Sequence, residues 1–139
     1  MTSHPILVNF DGSVGPTNPG EFACYAFTVI EDDGTYIENG ICENDNKTNN
    51  VAEYTAVIKA MQYCIDNHGD KKIIIRGDSN LIIKQIKNEF KCKQPHLQKL
   101  LKEAQDLAAQ LNVEFEWVPR EQNKLADKYS KYQNIKGIE

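Results

Sequence analysis

An α/β domain with a mixed five-stranded sheet and helices on both faces is the fold the sequence predicts, and three observations predict it. Two strand-like stretches are joined by Asp32-Asp33-Gly34, a strong hairpin signal for antiparallel pairing. Helical periodicity takes over at Asn50. Beyond it, apolar stretches alternate with helical ones, the order that parallel crossovers require. At 139 residues the chain suits one domain with one core, expected over 1–139 with an ordered part from about 5 to 132 and a short C-terminal tail.

The elements follow in order. Ile6 to Asp11 is a short apolar strand closed by Gly12, and Phe22 to Glu31 and Thr35 to Glu43 form the hairpin. From Asn50 to Asn67 the residues Val57, Ala60, Met61 and Cys64 fall on one helical face, with His68-Gly69 as the stop. Glu53 shares that apolar face, which places it at the mouth of the core rather than in solvent. Lys72 to Ile75 is a strand ending at Arg76-Gly77-Asp78, and a helix from Ser79 to about Asn88 follows at once. Pro95 suits the first turn of a long helix whose Leu97, Leu100, Leu101, Ala104, Leu107, Ala108 and Leu111 form a core face. Val113 to Val118 alternates Val113, Phe115 and Trp117 against Glu114 and Glu116, a strand with one solvated side. The last helix is expected from near Asn123, fraying after about Tyr132.

A formal net charge of -4 argues against a protein that coats nucleic acid by bulk attraction, so any such binding needs a local basic patch and bound metal. Cys24, Cys42, Cys64 and Cys92 are widely spaced and lack zinc-site neighbours; they are expected reduced, the first three in the core and Cys92 nearer the surface. The chain enters a strand directly after Met-Thr-Ser-His-Pro, without a signal sequence or a membrane-spanning run, so a soluble cytoplasmic protein is expected.

Four acids carry the chemical information. Asp11 and Asp78 are expected at the carboxyl ends of parallel strands, where open sheets collect ligands, and Glu53 and Asp127 on helices. Singly, the two aspartates at strand tips also suit turns or caps, and the two helical acids suit solvated positions. Buried together, they need a cation, and hard oxygen donors suit Mg²⁺ or Mn²⁺.

Phe10-Asp11-Gly12-Ser13 followed by Asn18-Pro19-Gly20, then Thr48-Asn49-Asn50 with Glu53, Gly77-Asp78-Ser79, and Asn123 with Asp127 resemble, in order and approximate spacing, the motifs of type 1 ribonuclease H. The resemblance covers residues 6 to about 132. It implies strand order 3-2-1-4-5 and hydrolysis of the RNA strand of an RNA/DNA hybrid by two Mg²⁺ or Mn²⁺ ions, leaving 5′-phosphate and 3′-hydroxyl ends. It further implies that Asp11 is shared by both metals, that Glu53 and Asp78 bind the one that activates water, and that Asp127 binds the other. Gly12, Ser13, Asn18, Asn49, Asn50, Asn80 and Asn123 are the implied substrate contacts, with Thr48 and Ser79 able to bond backbone or phosphate. Amides suit the minor groove because they both donate to and accept from the RNA 2′-hydroxyl. Asn80 stands where many members have Gln.

Lys84, Lys87, Lys91, Lys93, Lys99 and Lys102 make the densest basic stretch, either a grip on DNA-strand phosphates through Lys87 and Lys91 or a solvated helix face. The sequence departs from many members in lacking a histidine between the last strand and last helix. Pro119-Arg120-Glu121-Gln122-Asn123 stands there and resembles a shorter subset, with Arg120 a candidate for holding phosphate. No hybrid-binding module is expected ahead of residue 6, and processivity is expected to be low. A monomer with no obligate protein partner is expected. The alternatives are a non-catalytic nucleic-acid-binding domain and another metal-dependent nuclease on the same fold.

Overall fold

A computed structural model describes residues 4–135, so Met1 to Ser3 and the last residues of the expected tail lie outside the described residues. β1 (Ile6–Gly15), β2 (Phe22–Glu31), β3 (Gly34–Ile41), α1 (Asn49–His68), β4 (Lys72–Gly77), α2 (Asn80–Ile86), α3 (Pro95–Ala108), β5 (Asn112–Trp117) and α4 (Lys124–Ser130) follow in sequence. The strands form one sheet in the order β3-β2-β1-β4-β5. β1 to β3 are antiparallel neighbours, and β4 and β5 run parallel to β1. The expected mixed five-stranded fold is therefore the observed one. Among the described residues no helix is long and apolar enough to cross a membrane.

Strand alternation assigns the two faces. Ile6, Val8 and Phe10 of β1 are buried together with Ile73 and Ile75 of β4, under α1. Leu97 and Ala104 of α3 close the same core, while Leu100, Leu101, Leu107, Ala108 and Leu111 pack against it only partly buried. Asn9 and Asp11 point the other way: Asn9 reaches Asn123 just ahead of α4, and Asp11 reaches Ser130 within it. α4 thus covers the second face.

α1 is fixed at both ends. Thr48 caps it, its Oγ accepting from Val51 N, and at its far end His68 Nε2 lies 2.6 Å from Glu31 Oε2, which also accepts from Tyr63 OH. Its first turns rest directly on β1. A Cβ on Gly12 would stand 2.3 Å from the Ala52 carbonyl carbon and 2.4 Å from Glu53 N, so only glycine permits this approach.

Four expectations are corrected. β1 does not end at Asp11 but runs to Gly15, because β2 continues to pair with it as far as Gly15 and Phe22. α2 spans only Asn80–Ile86, with Ser79 as its cap and Asn88 in a left-handed turn at φ 63°. Trp117 is not on a buried side: it ends an edge strand, is 50% exposed, and donates its indole N–H to the Asp78 carbonyl. The described chain stays packed past Tyr132 as far as Ile135, since the Tyr132 ring stacks on Phe22, Asn39 donates to the Asn134 carbonyl, and Ile135 is buried.

Candidate active site

β1 pairs with β4 only as far as Asn9 and Arg76. Beyond that point one edge of β1 is open, and the Gly12 N–H donates to Glu53 Oε1 at 3.1 Å instead of to a strand. The end of the parallel pairing is thus the opening into which the acids converge. Asp11 comes from β1, Glu53 from the second turn of α1, and Asp78 from the residue after β4. Carboxylate oxygens of all three lie within 4.8 Å of one another. Asp127, from α4, lines the same pocket of about 260 Å³, and its Oδ1 is 3.2 Å from Lys131 Nζ.

The cluster is costly to ionise. Asp11 is 4% exposed and Glu53 3%. Burial, with the neighbouring Asp78 and Asp127 carboxylates adding to it, pushes the Asp11 carboxyl up to about 7. Burial and the charge of Asp11 push Glu53 well above the usual carboxylate range. Glu53 Oε2 is buried without a hydrogen-bond partner among the described residues. A buried oxygen in that condition, facing two further carboxylates, fits a divalent cation with hard-oxygen preference.

The other sequence-derived candidates divide by position. Gly12, Ser13, Asn49, Ser79 and Arg120 line the acidic pocket. Asn18 stands beside it, its Oδ1 accepting from Asn49 N at 3.0 Å, while Asn50 and Asn80 are absent from the pocket wall. Ser79 Oγ accepts from Ile82 N and Thr48 Oγ from Val51 N, so both are helix caps that retain a hydroxyl proton to donate. Asn123 is 1% exposed and faces no solvent. Its Nδ2 lies within bonding distance of the Phe10 carbonyl and Asp78 Oδ2, and its Oδ1 accepts from Asn9. It braces Asp78 against β1 from behind, which corrects its expected place at the substrate surface.

Lys87 and Lys91 are not among the residues that line this pocket. Lys84 and Lys87 both pair with Glu89, whereas Lys91 and Lys93 line a separate depression with Phe90 and Cys92. Two residues near the acids were not singled out from sequence. Lys131 lines the pocket and is signalled by its four-residue spacing from Asp127 on a helix. Ser130, donating toward Asp11 Oδ2 at 3.2 Å, carries no sequence signal because its partner is 119 residues away.

The reverse transcriptase-like family matches residues 9–133. A Mycobacterium tuberculosis protein described as bifunctional is 33% identical over 124 residues, which is 88% of this chain and 34% of its own length. The chain therefore spans about a third of that relative. The structure of ribonuclease H1 from the halophilic archaeon Halobacterium salinarum superposes with a TM-score of 0.77 at 30% identity, covering 91% of this chain and 97% of its own. LC11 ribonuclease H1, isolated from compost and solved in complex with an RNA/DNA hybrid, gives 0.78 at 27% identity, covering 88% and 91%.

Proposed function

The chain belongs to the reverse transcriptase-like family, among its type 1 ribonuclease H members, and from that premise we propose that it is an endoribonuclease cutting the RNA strand of RNA/DNA hybrids. The observation that carries the reading is the convergence of Asp11, Glu53 and Asp78 within 4.8 Å, with Asp127 in the same pocket. These four side chains would hold two Mg²⁺ or Mn²⁺ ions. When bound, such ions supply activation of a water molecule and neutralisation of charge at the leaving oxygen of an in-line displacement. The products are a 5′-phosphate and a 3′-hydroxyl.

The protein's own groups perform the rest. Asn18 fixes the Asn49 backbone through its carbonyl oxygen and leaves its N–H₂ to donate, so the pair suits the hybrid's minor groove beside the pocket. Asn50 follows in the first turn of α1, one turn before Glu53, which ties RNA recognition to the metal-binding helix. Arg120 stands on the pocket wall and balances phosphate charge, while Lys131 neutralises Asp127 before metal arrives. Asn123 keeps Asp78 in place by packing and hydrogen bonding. In this reading the protein acts as a monomer in the cytoplasm, a compartment that suits its four free cysteines.

The test is cleavage of an end-labelled RNA strand, in a DNA hybrid and in duplex RNA, with Mg²⁺ or Mn²⁺. Hybrid-selective cutting that Asp78→Asn lowers by roughly a thousandfold or more is expected. Binding of the hybrid without cutting under either metal would turn the reading to a non-catalytic binding domain.

A further inference from the structure

Ser130 has no part in the reading above, yet it sits directly behind the acids. It is 0% exposed, in the last turn of α4. Its Oγ lies 2.8 Å from the Asp127 carbonyl and 3.2 Å from Asp11 Oδ2. The first contact is local, the back-bonding that serines commonly make within helices. The second joins two elements of the candidate metal centre. A hydroxyl carries one proton, so Ser130 serves these two acceptors in alternation. Among the described residues no other hydroxyl, amide or backbone N–H donates to the Asp11 carboxylate.

We infer that Ser130 is a positioning residue for metal binding, its hydroxyl fixing the rotation of the Asp11 carboxylate and coupling it to the helix that carries Asp127. The terminal torsion of an aspartate is broad and two-fold, so burial alone does not select an orientation. A donor on Oδ2 does. With that oxygen held from behind, the remaining acceptor capacity of Asp11 faces Glu53, Asp78 and Asp127. The hydroxyl itself is fully buried. Partners that orient metal ligands in this way typically change metal affinity by tenfold or more when lost.

The inference deepens the hybrid-nuclease reading and rests on it for its activity readout alone. The experiment titrates Mn²⁺ calorimetrically into metal-free wild type, Ser130→Ala and Ser130→Cys without nucleic acid, and measures the Mg²⁺ dependence of hybrid cleavage in parallel. Cysteine keeps a heavy atom in the place of Oγ but donates weakly, so it decides the matter if the alanine variant does not melt cooperatively in EDTA. The expected result is an Mn²⁺ Kd raised about tenfold in the variants, a matching shift in the Mg²⁺ concentration for half-maximal cleavage, and kcat within about twofold of wild type at saturating Mg²⁺. Variants whose Mn²⁺ Kd stays within about twofold of wild type would overturn it and leave Ser130 a helix-end detail. Wild type that binds Mn²⁺ but cuts no hybrid removes the nuclease reading, and the titration still decides the role of Ser130.

Discussion

Four carboxylates from β1, α1, the tip of β4 and α4 meet in the acidic pocket, whereas the lysines from Lys84 to Lys102 follow one another along a single stretch of chain. In the pocket, burial removes the water that would screen like charges, so Asp11 and Glu53 are held toward their neutral forms until a cation arrives. Along the lysine segment the side chains stay largely in solvent, and Glu89 accepts from both Lys84 and Lys87. Those two lysines hold the Glu89 carboxyl below its usual range. Lys102 pairs in turn with Asp106. Only the remaining lysines, Lys91, Lys93 and Lys99, are without an ion pair among the described residues. Clustered ionisable groups therefore do different things: buried carboxyls build a site, and exposed charge tunes encounter in a salt-dependent way.

The largest break in this comparison is steric. Gly12→Ala forces a methyl onto the backbone of Ala52 and Glu53, separating β1 from α1. We expect a loss of about 3 kcal/mol in chemical denaturation and a roughly hundredfold fall in cleavage as Glu53 leaves its place. Alanine at an exposed lysine such as Lys93 should change stability by no more than about 0.5 kcal/mol.

The next is the effect of metal and pH on stability. The folded value of Asp11, about 7, lies above its ordinary value of 3.8. The folded state therefore binds more protons than the unfolded state between these values, and metal-free stability falls as pH rises from about 4 through 7. Mg²⁺ offsets the repulsion that remains. Thermal melts should show a Tm increase of about 5 °C or more in saturating Mg²⁺ at pH 8, and less than half that at pH 6. An unchanged Tm at pH 8 would argue against a preformed cluster.

The smallest effects belong to the lysines. Charge reversal at Lys91 should weaken hybrid binding about threefold at low salt and reduce the salt slope by about one. The same change at Lys87 should do less, because Glu89 already neutralises it. Equal, undiminished salt slopes in both variants would remove this segment from hybrid binding.

Much of the fold was legible in the sequence. The hairpin at Asp32-Asp33-Gly34, the switch to helix near Asn50 and the strand, acid and helix around Asp78 are written in local chemistry, and the element order follows from them. Element ends were less legible. β1 outruns its apolar run because β2 supplies a partner through Gly15, and Tyr132 to Ile135 are ordered because Phe22 and Asn39 receive them.

The same division holds at the site. By itself the sequence determined which side chains are carboxylates, amides and caps, and that Glu53 shares the apolar face of its helix, because periodicity and capping act within a few residues. Only the tertiary structure decided that Asp11, Glu53 and Asp78 crowd within 4.8 Å, that Asn123 is buried behind Asp78, that Trp117 is exposed, and that Ser130 reaches Asp11. Burial and proximity depend on elements distant in sequence. The Asp11 carboxyl is raised first by burial and then by the Asp78 and Asp127 carboxylates that folding brings to it, at the point where the parallel pairing of β1 with β4 stops.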